Sequence, residues 1–528
     1  MTMSLDRGRR PASALPTADD RAAPADPPRV ANARPYRRLA YHRLANPAGI
    51  MLILSMALHP VVAAAQTADP IKESARTEEL SLGETAPREK VAASAEPIIK
   101  ISGEIGLTNF DYRQYFHTPQ DSHDLAIGGN LIAHTASLAG FSAGAGVYVG
   151  QTLGLEDRSS PSYNPELASP DGNRTLLRQA YVQYQSGRLL VRAGRQLVQT
   201  PFATQDYFTF HPRAFSGFAA RYDLLGDTGK GVEVGAMSLD TSPARLSVMA
   251  IRMYDFAGRF VDGFTSGSEV SGGRPTRGFA ALGMRYNGGI GTTKLVAQSW
   301  YYDFIDYARL AYGHVAVRTP IATDREFVAA VQAFRQWNSS GNGRSLADAT
   351  DGVVRSVDAQ IYGASAGSRV GNVTVSAIGN YAPAAPGAFR NGGALQPYTM
   401  IPYTLFSDTL QTGVAELGPG YGYGINVTLK AFKGKFSSSL SAVRYKARYG
   451  FGKDVYTYRG PLGFGGLEAT PNQHSWALDA INILDMSNIA KGLSSSYVLG
   501  IAHTDNGTTL RRYDNPFVIS RFYLKWAF

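Results

Sequence analysis

From Phe522 to the carboxyl terminus the chain reads F-Y-L-K-W-A-F, and its two parities differ. Phe522, Leu524, Trp526 and Phe528 form one set; Tyr523, Lys525 and Ala527 form the other. Successive side chains of a strand point to opposite sides, so this segment is a ribbon with one wholly apolar, aromatic face and one face that carries charge. A soluble closing strand rarely leaves a Trp and a Phe on one exposed face. A strand with lipid on one side and water on the other does, because a closed barrel needs an outward apolar band bordered by aromatic girdles.

Beyond residue 65 no stretch approaches the 18 or so apolar residues that a spanning helix needs. Glycine (56), tyrosine (29) and phenylalanine (24) are abundant while charged residues make up only 18%. Without spanning helices, a membrane chain has one other architecture, a closed barrel whose backbone groups pair between strands. The terminal aromatic with apolar residues at every second position before it also resembles the assembly signal of bacterial outer-membrane barrels. That resemblance implies the barrel assembly machinery as a partner, with outer-membrane lipids and lipopolysaccharide as surroundings.

The expected organisation is an amino-terminal extension and secretory signal over 1–65, a polar periplasmic tail over 66–97 and the barrel over 98–528. Arg34, Arg37, Arg38 and Arg43 supply a positive region, Ile50 to Leu58 an apolar core too short to span, and Ala63-Ala64-Ala65 a small-residue cleavage site. The net charge of +10 is concentrated at the front: the first 65 residues hold nine Arg and four Asp, and setting them aside leaves 43 basic against 38 acidic side chains. No nucleic-acid partner follows from that balance. The absence of cysteine leaves neither a disulfide frame nor a thiolate metal site.

From Ile98 strand patterns recur at 98–112, 122–134, 141–150, 175–185, 188–196, 214–224, 245–257, 276–286, 292–302, 306–318, 325–337, 354–364, 373–381, 421–430, 436–448, 474–483, 494–504 and 516–528. This predicts an all-β, transmembrane antiparallel barrel of about 18 strands. With alternating strands, the short turns at Ser186-Gly187, Asn287 to Gly291 and Ala431 to Lys435 fall on the periplasmic side. The long loops 151–174, 197–213, 258–275, 338–353, 382–420 and 449–473 fall outside. Residues 225–244 are expected as an additional strand or a periplasmic extension.

Parity assigns faces. Ala280, Leu282, Met284 and Tyr286 are expected outward and Phe279, Ala281, Gly283 and Arg285 inward; Leu189, Val191 and Ala193 likewise oppose Arg192. In 443–449, Val443, Tyr445, Ala447 and Tyr449 alternate with Arg444, Lys446 and Arg448. A charge facing lipid near the midplane costs about 2–4 kcal/mol, so a shared inward direction is expected for these three cations, as a basic ladder that guides anionic groups. The other reading is a solvated stripe above the membrane at the mouth of an outer loop. Arg192, Arg285, Arg521 and Lys525 are further candidate lumen cations.

The passage Gly194-Arg195-Gln196-Leu197-Val198-Gln199-Thr200-Pro201-Phe202-Ala203, then Asp206, then His211-Pro212-Arg213-Ala214-Phe215-Ser216-Gly217, sits where a third outer loop belongs. It resembles the OprD family of substrate-specific outer-membrane porins, whose strand-to-loop passage reads much like G-R-Q-x-x-x-T-P, then Asp, then x-P-x-x-F-x-G. Tyr181 to Tyr184, Leu295 to Tyr302 with Asp306 and Tyr312, Asp358 to Gly363 with Gly371 to Ala377, and Lys491 to Leu493 agree in order and spacing. The resemblance implies an 18-stranded monomeric barrel narrowed by inward-folded loops, with an arginine-rich ladder along one wall, through which small carboxylate-bearing solutes diffuse. A loose trimer of such barrels is the other assembly considered. Inside the loop the chain departs from the family's Asp-x-Arg-Met, because Asp206 is followed by Tyr207-Phe208-Thr209-Phe210-His211. Arg195, Asp206, Tyr207, Phe208, Phe210 and Arg213 are the candidate constriction residues. The loop aromatics, Phe202 among them, either narrow the passage for organic acids or pack the loop on the wall. Asp206 with Arg213 or Arg195 forms an eyelet of opposed charge or an ion pair that holds the loop.

Catalytic chemistry has no nominee. The nine His lack His-x₃-His spacing, and no G-x-S-x-G, Walker or G-x-G-x-x-G motif stands in a strand-to-helix context. A non-enzymatic channel without metal or cofactor for small anionic or zwitterionic solutes is therefore expected. The competing classes are a structural or adhesive barrel without an open pore and an outer-membrane lipase.

Overall fold

A computed structural model describes residues 98–113, 121–154, 167, 172–205, 209–226, 235–240, 242, 244–258, 261–268, 275–339, 356–399, 405–410, 413–414, 419–448, 474–505 and 516–528. Strict alternation becomes a sheet with two unlike faces. Its strands are β1 (Ile99–Arg113), β2 (Ser122–Thr135), β3 (Phe141–Thr152), β4 (Asn173–Ser186), β5 (Leu189–Gln196), β6 (Ala214–Leu225), β7 (Leu246–Ala257), β8 (Phe279–Ile290), β9 (Thr293–Phe304), β10 (Ala308–Ala322), β11 (Arg325–Asn338), β12 (Asp358–Val370), β13 (Val373–Ala382), β14 (Gly420–Ala431), β15 (Phe436–Ala447), β16 (His474–Asp485), β17 (Leu493–Asp505) and β18 (Phe517–Ala527). Each of the eighteen expected ranges falls on one of them. Sequence neighbours pair antiparallel, and β1 also pairs with β18, from Glu104 opposite Ala527 to Arg113 opposite Val518. Each of the eighteen strands is thus paired on both sides, which is the condition for a sheet to stand in hydrocarbon.

The outer face carries Leu131, Val182, Leu282, Val331, Ile425 and Leu478, all exposed. Exposed aromatics border this band, with Phe141, Phe327 and Trp526 toward the end that holds both barrel termini and Tyr254, Tyr301, Tyr381, Tyr423 and Trp476 toward the other. The opposite parity is buried and polar, with Gln179, Gln183, Arg192, Arg221, Gln332, Gln336, Ser441, Asp479 and Arg521. This is the inner wall. Faces expected for 189–193, 279–286 and 522–528 have this arrangement.

Three segments among the described residues enter the lumen. The loop between β5 and β6 forms a small sheet in which Val198–Thr200 pairs with Ala203–Thr204. Its Phe202 ring lies 5.2–5.9 Å, centre to centre, from Tyr302, Tyr312 and Phe334 on β9, β10 and β11. Its Phe210 lies against Gly128 of β2 and Gly106 of β1. In a ring of eighteen strands these two walls are opposite, so the loop crosses the lumen.

The second segment is Gly235 to Asp240, the described middle of 225–244, and it forms neither an added barrel strand nor a periplasmic extension. Met237–Ser238 pairs parallel with Val198–Gln199, and Gly235 to Leu239 are buried. The third is the outer loop expected over 382–420, whose described residues reach into the lumen. Tyr398 sits among Phe215, Phe256, Phe279 and Phe304, and Leu395 exchanges two hydrogen bonds of 2.8 Å with the Gln336 amide. Aromatic burial of this kind fixes a loop that has few backbone partners of its own.

Candidate functional site

The site is the inner wall beside the crossing loop. Arg192, Arg221 and Arg285, on β5, β6 and β8, all hold the segment Gly235 to Asp240. Arg192 donates from Nη1 to the Gly235 carbonyl (2.5 Å) and from Nε and Nη2 to Gln183 Oε1 (2.9 and 2.7 Å), with its guanidinium 4.1 Å from the Tyr181 ring centre. Arg221 donates to the Ser238 carbonyl (3.2 Å) and lies 3.5 Å from Asp223. Arg285 meets the Asp240 carboxylate at 2.9 Å. The Gly235 carbonyl and Gln183 Oε1 thus fix the direction of the Arg192 guanidinium on the inner wall.

Across the barrel closure, Arg521 donates to the Tyr112 hydroxyl (2.8 Å) and stacks over Phe110 and Tyr112, while Lys525 pairs with Glu104 at 3.0 Å. At the end that holds the termini, Arg318 and Arg369 flank Glu326 on the inner faces of β10, β12 and β11.

Toward the other end Arg174 pairs with Asp262 (3.0 Å), and Arg178 donates to the carbonyls of Gly258 and Val261 (2.9 Å each). A register shift between β3 and β4 leaves Arg178 as the extra residue, which turns it inward beside Gln179. His211 lies within 3.3 Å of the Arg174 carbonyl. Burial, and then the charge of Arg174, hold this imidazole neutral, with a pKa lowered to about 3.

Of the candidate ladder residues, Arg192, Arg285, Arg521 and Lys525 are buried on the inner face. Arg444, Lys446 and Arg448 are not. On β15 the buried parity is Ser439, Ser441, Val443, Tyr445 and Ala447, and Arg444 and Arg448 are exposed on the outer face. The reason is the loop 383–419, whose Ser407 carbonyl accepts the Tyr445 hydroxyl, so the inner positions here meet protein and are apolar. The three cations occupy the far end of the strand, past the apolar band, where an outward charge is cheap.

Arg195 is also corrected: it is exposed on the outer parity of β5, its guanidinium 4.7 Å from the Phe264 ring centre, and is no part of a constriction. Arg213 and Phe210 are buried, the latter packed on the wall rather than projecting into a passage. Asp206, Tyr207 and Phe208 lie outside the described residues. Sequence reasoning missed Arg174, Arg178, Arg221, Arg318 and Arg369. Arg221 was open to the same parity argument as Arg285, since it alternates with Phe218, Ala220 and Tyr222; Arg178 was hidden by the register shift. Among the described residues no group of His, Asp and Glu could hold a metal ion.

No family model matches the sequence, and a search of curated proteins finds no match. Solved structures do match. OpdK of Pseudomonas aeruginosa with vanillate superposes with a TM-score of 0.60 at 14% identity, over 81% of this chain and 98% of that one. OccAB2 of Acinetobacter baumannii gives 0.59 at 13%, over 81% and 98%. This is the fold of the OprD-type outer-membrane porins. OccK2 (OpdF) of Pseudomonas aeruginosa in complex with glucuronate gives 0.56 at 12%, over 81% and 97%. The porin fold thus accounts for nearly the whole of each neighbour and for about the share of this chain that its barrel domain takes.

Proposed function

We propose that this porin-fold barrel is a passive, solute-selective channel for small carboxylate-bearing solutes, organic acids or amino acids. The observation that carries this reading is the arginine-rich inner wall beside a loop that crosses the lumen: Arg192 and Arg521 are oriented by neutral oxygens, and Arg221, Arg285 and Lys525 stand with the carboxylates of Asp223, Asp240 and Glu104. A carboxylate entering the barrel loses hydration, and oriented guanidinium and ammonium groups compensate part of that loss. Several weak stations instead of one deep site let the solute leave. Aromatic rings beside the cations, Tyr181 at Arg192 and Phe110 with Tyr112 at Arg521, suit solutes that carry an apolar ring as well. Vanillate and glucuronate, held by two of the similar structures, are both carboxylates.

The test is single-channel conductance of refolded protein in a planar bilayer under a salt gradient, with benzoate and lysine as added solutes. Discrete openings with anion bias, blocked by benzoate, are expected. Silence from correctly folded protein would favour a closed barrel, the reading suggested by three segments entering one lumen. Arg285→Gln with Arg521→Gln should shift the reversal potential toward neutrality. An unshifted potential removes these cations from the pathway.

A further inference from the structure

The outward cations on β15 differ from most other charged groups at the same rim. Arg335 is joined to Asp358 at 2.6 Å, Arg277 to Asp306 at 2.6 Å and Arg309 to Asp303 at 3.8 Å, while Arg252 donates to three carbonyls. Among the described residues no carboxylate lies in ion-pair range of Arg444, Lys446 or Arg448. The strand register defines their surroundings. One outward row is Ile425, Ala442, Leu478 and Ile501, all apolar. Two residues further from the termini the row is Tyr423, Arg444, Trp476 and His503, and in the next Tyr421, Lys446 and His474 stand on neighbouring strands. Tyr423 and Trp476 are exposed.

Within two steps along the strands the surface passes from hydrocarbon-facing aliphatics to an aromatic girdle that holds an arginine, and then to clustered positive charge. That is the depth at which lipid headgroups lie, and aromatic residues mark the same level. Clustered Lys and Arg at that depth attract anionic headgroups, and Arg forks suit phosphate oxygens.

We infer that Arg444, Lys446 and Arg448 form a binding site on the outside of the barrel for the phosphate groups of a phosphorylated glycolipid of the outer leaflet. Arg444 sits lowest, between Tyr423 and Trp476, where the acyl chains of that lipid meet its headgroup. Lys446 and Arg448 stand above it on the same face, spaced two residues apart, and meet phosphate at successive heights. The inference takes the barrel to lie in an outer membrane and is independent of what the lumen carries.

The test uses refolded full-length protein in detergent, its folding checked by heat-modifiable migration, titrated with bisphosphorylated lipid A and followed by native mass spectrometry. Arg444→Gln, Lys446→Gln and Arg448→Gln together should weaken binding by about tenfold to 100-fold, because each neutralised side chain removes one attraction to the headgroup. Dephosphorylated lipid A should bind wild type and variant alike, and Arg444→Lys with Arg448→Lys should recover most of the affinity. Wild-type affinity in the triple Gln variant, or a deficit that persists with dephosphorylated lipid, would overturn the site. Conductance of the triple variant in planar bilayers should match wild type. A barrel silent in that assay would refute the channel reading while leaving the lipid titration fully interpretable.

Discussion

Phe210 rests on a wall that has been cleared for it. A Cβ built on Gly128 would stand 2.5 Å from Phe210 Cγ and 2.4 Å from the Val149 carbonyl oxygen, so even a methyl group forces the loop or the strand to move. Gly128→Val should cost about 1–3 kcal/mol by overpacking, seen as a lower temperature of heat-modified migration. Phe202, at the other end of the crossing, is 2% exposed among three rings, and Phe202→Ala should cost about 3–5 kcal/mol. A conductance unchanged in both variants would show that the crossing does not narrow the passage. His211 gives the loop an acid limit. Its pKa falls from 6.5 outside the fold to about 3 within it, so the folded barrel holds the neutral imidazole. The group therefore costs nothing above its unfolded pKa, and stability is lost progressively as pH falls from there toward the folded value. His211→Gln should flatten that loss in unfolding midpoints taken between about pH 7 and 4; an equally steep loss would place the acid sensitivity elsewhere.

Among the elements, Gly235 to Asp240 shows how an inner-wall cation can serve architecture as well as charge. Three strands each contribute one arginine to it, and its backbone extends the small sheet of the crossing loop, with Met237 N–H donating to the Leu197 carbonyl at 2.9 Å. Arg192→Met removes the Gly235 and Gln183 hydrogen bonds together. Charged hydrogen bonds of this kind are worth about 1.5–3 kcal/mol each. The variant should therefore loosen the segment, which would appear as noisier and larger single-channel currents; quiet, wild-type currents would assign the segment's position to Arg221 and Arg285 alone. Strand β15 carries the complementary lesson. Its alternation of aliphatic or aromatic with basic residues was fully legible, but alternation alone does not say which parity faces lipid. On β18 the apolar parity faces out and the inner side holds the polar heads of Arg521 and Lys525. At the far end of β15 a protein loop occupies that side, Tyr445 and Val443 pack on it, and the cations turn outward.

For the molecule as a whole, closure is the step on which stability depends. Phe528 exchanges two backbone hydrogen bonds of 3.0 Å with Gly103, and its ring lies where a Gly103 Cβ would come within 2.7 Å of it. Trp526 donates to the Lys491 carbonyl at 3.0 Å. Removing Phe528 should leave the last strand short at the seam with β1 and reduce the yield of heat-modifiable barrel; full yield would show that the seam is secured elsewhere.

At the same scale, the sequence by itself determined that the chain is a membrane barrel of eighteen antiparallel strands, where the strands lie, and which parity is lipid-facing over most of them. These properties are local: side chains alternate with a period of two, short and long connections alternate between ends, and an apolar band must face hydrocarbon. Only the tertiary structure decided which connections enter the lumen, that Arg192, Arg221 and Arg285 converge on one segment, that Arg178 turns inward at a register shift, and that the β15 cations face outward. Each depends on what stands on the far side of the wall, brought there from residues tens to hundreds of positions away. A period-two pattern records that two faces differ; what fills the space beside each face is set by the closure of the barrel.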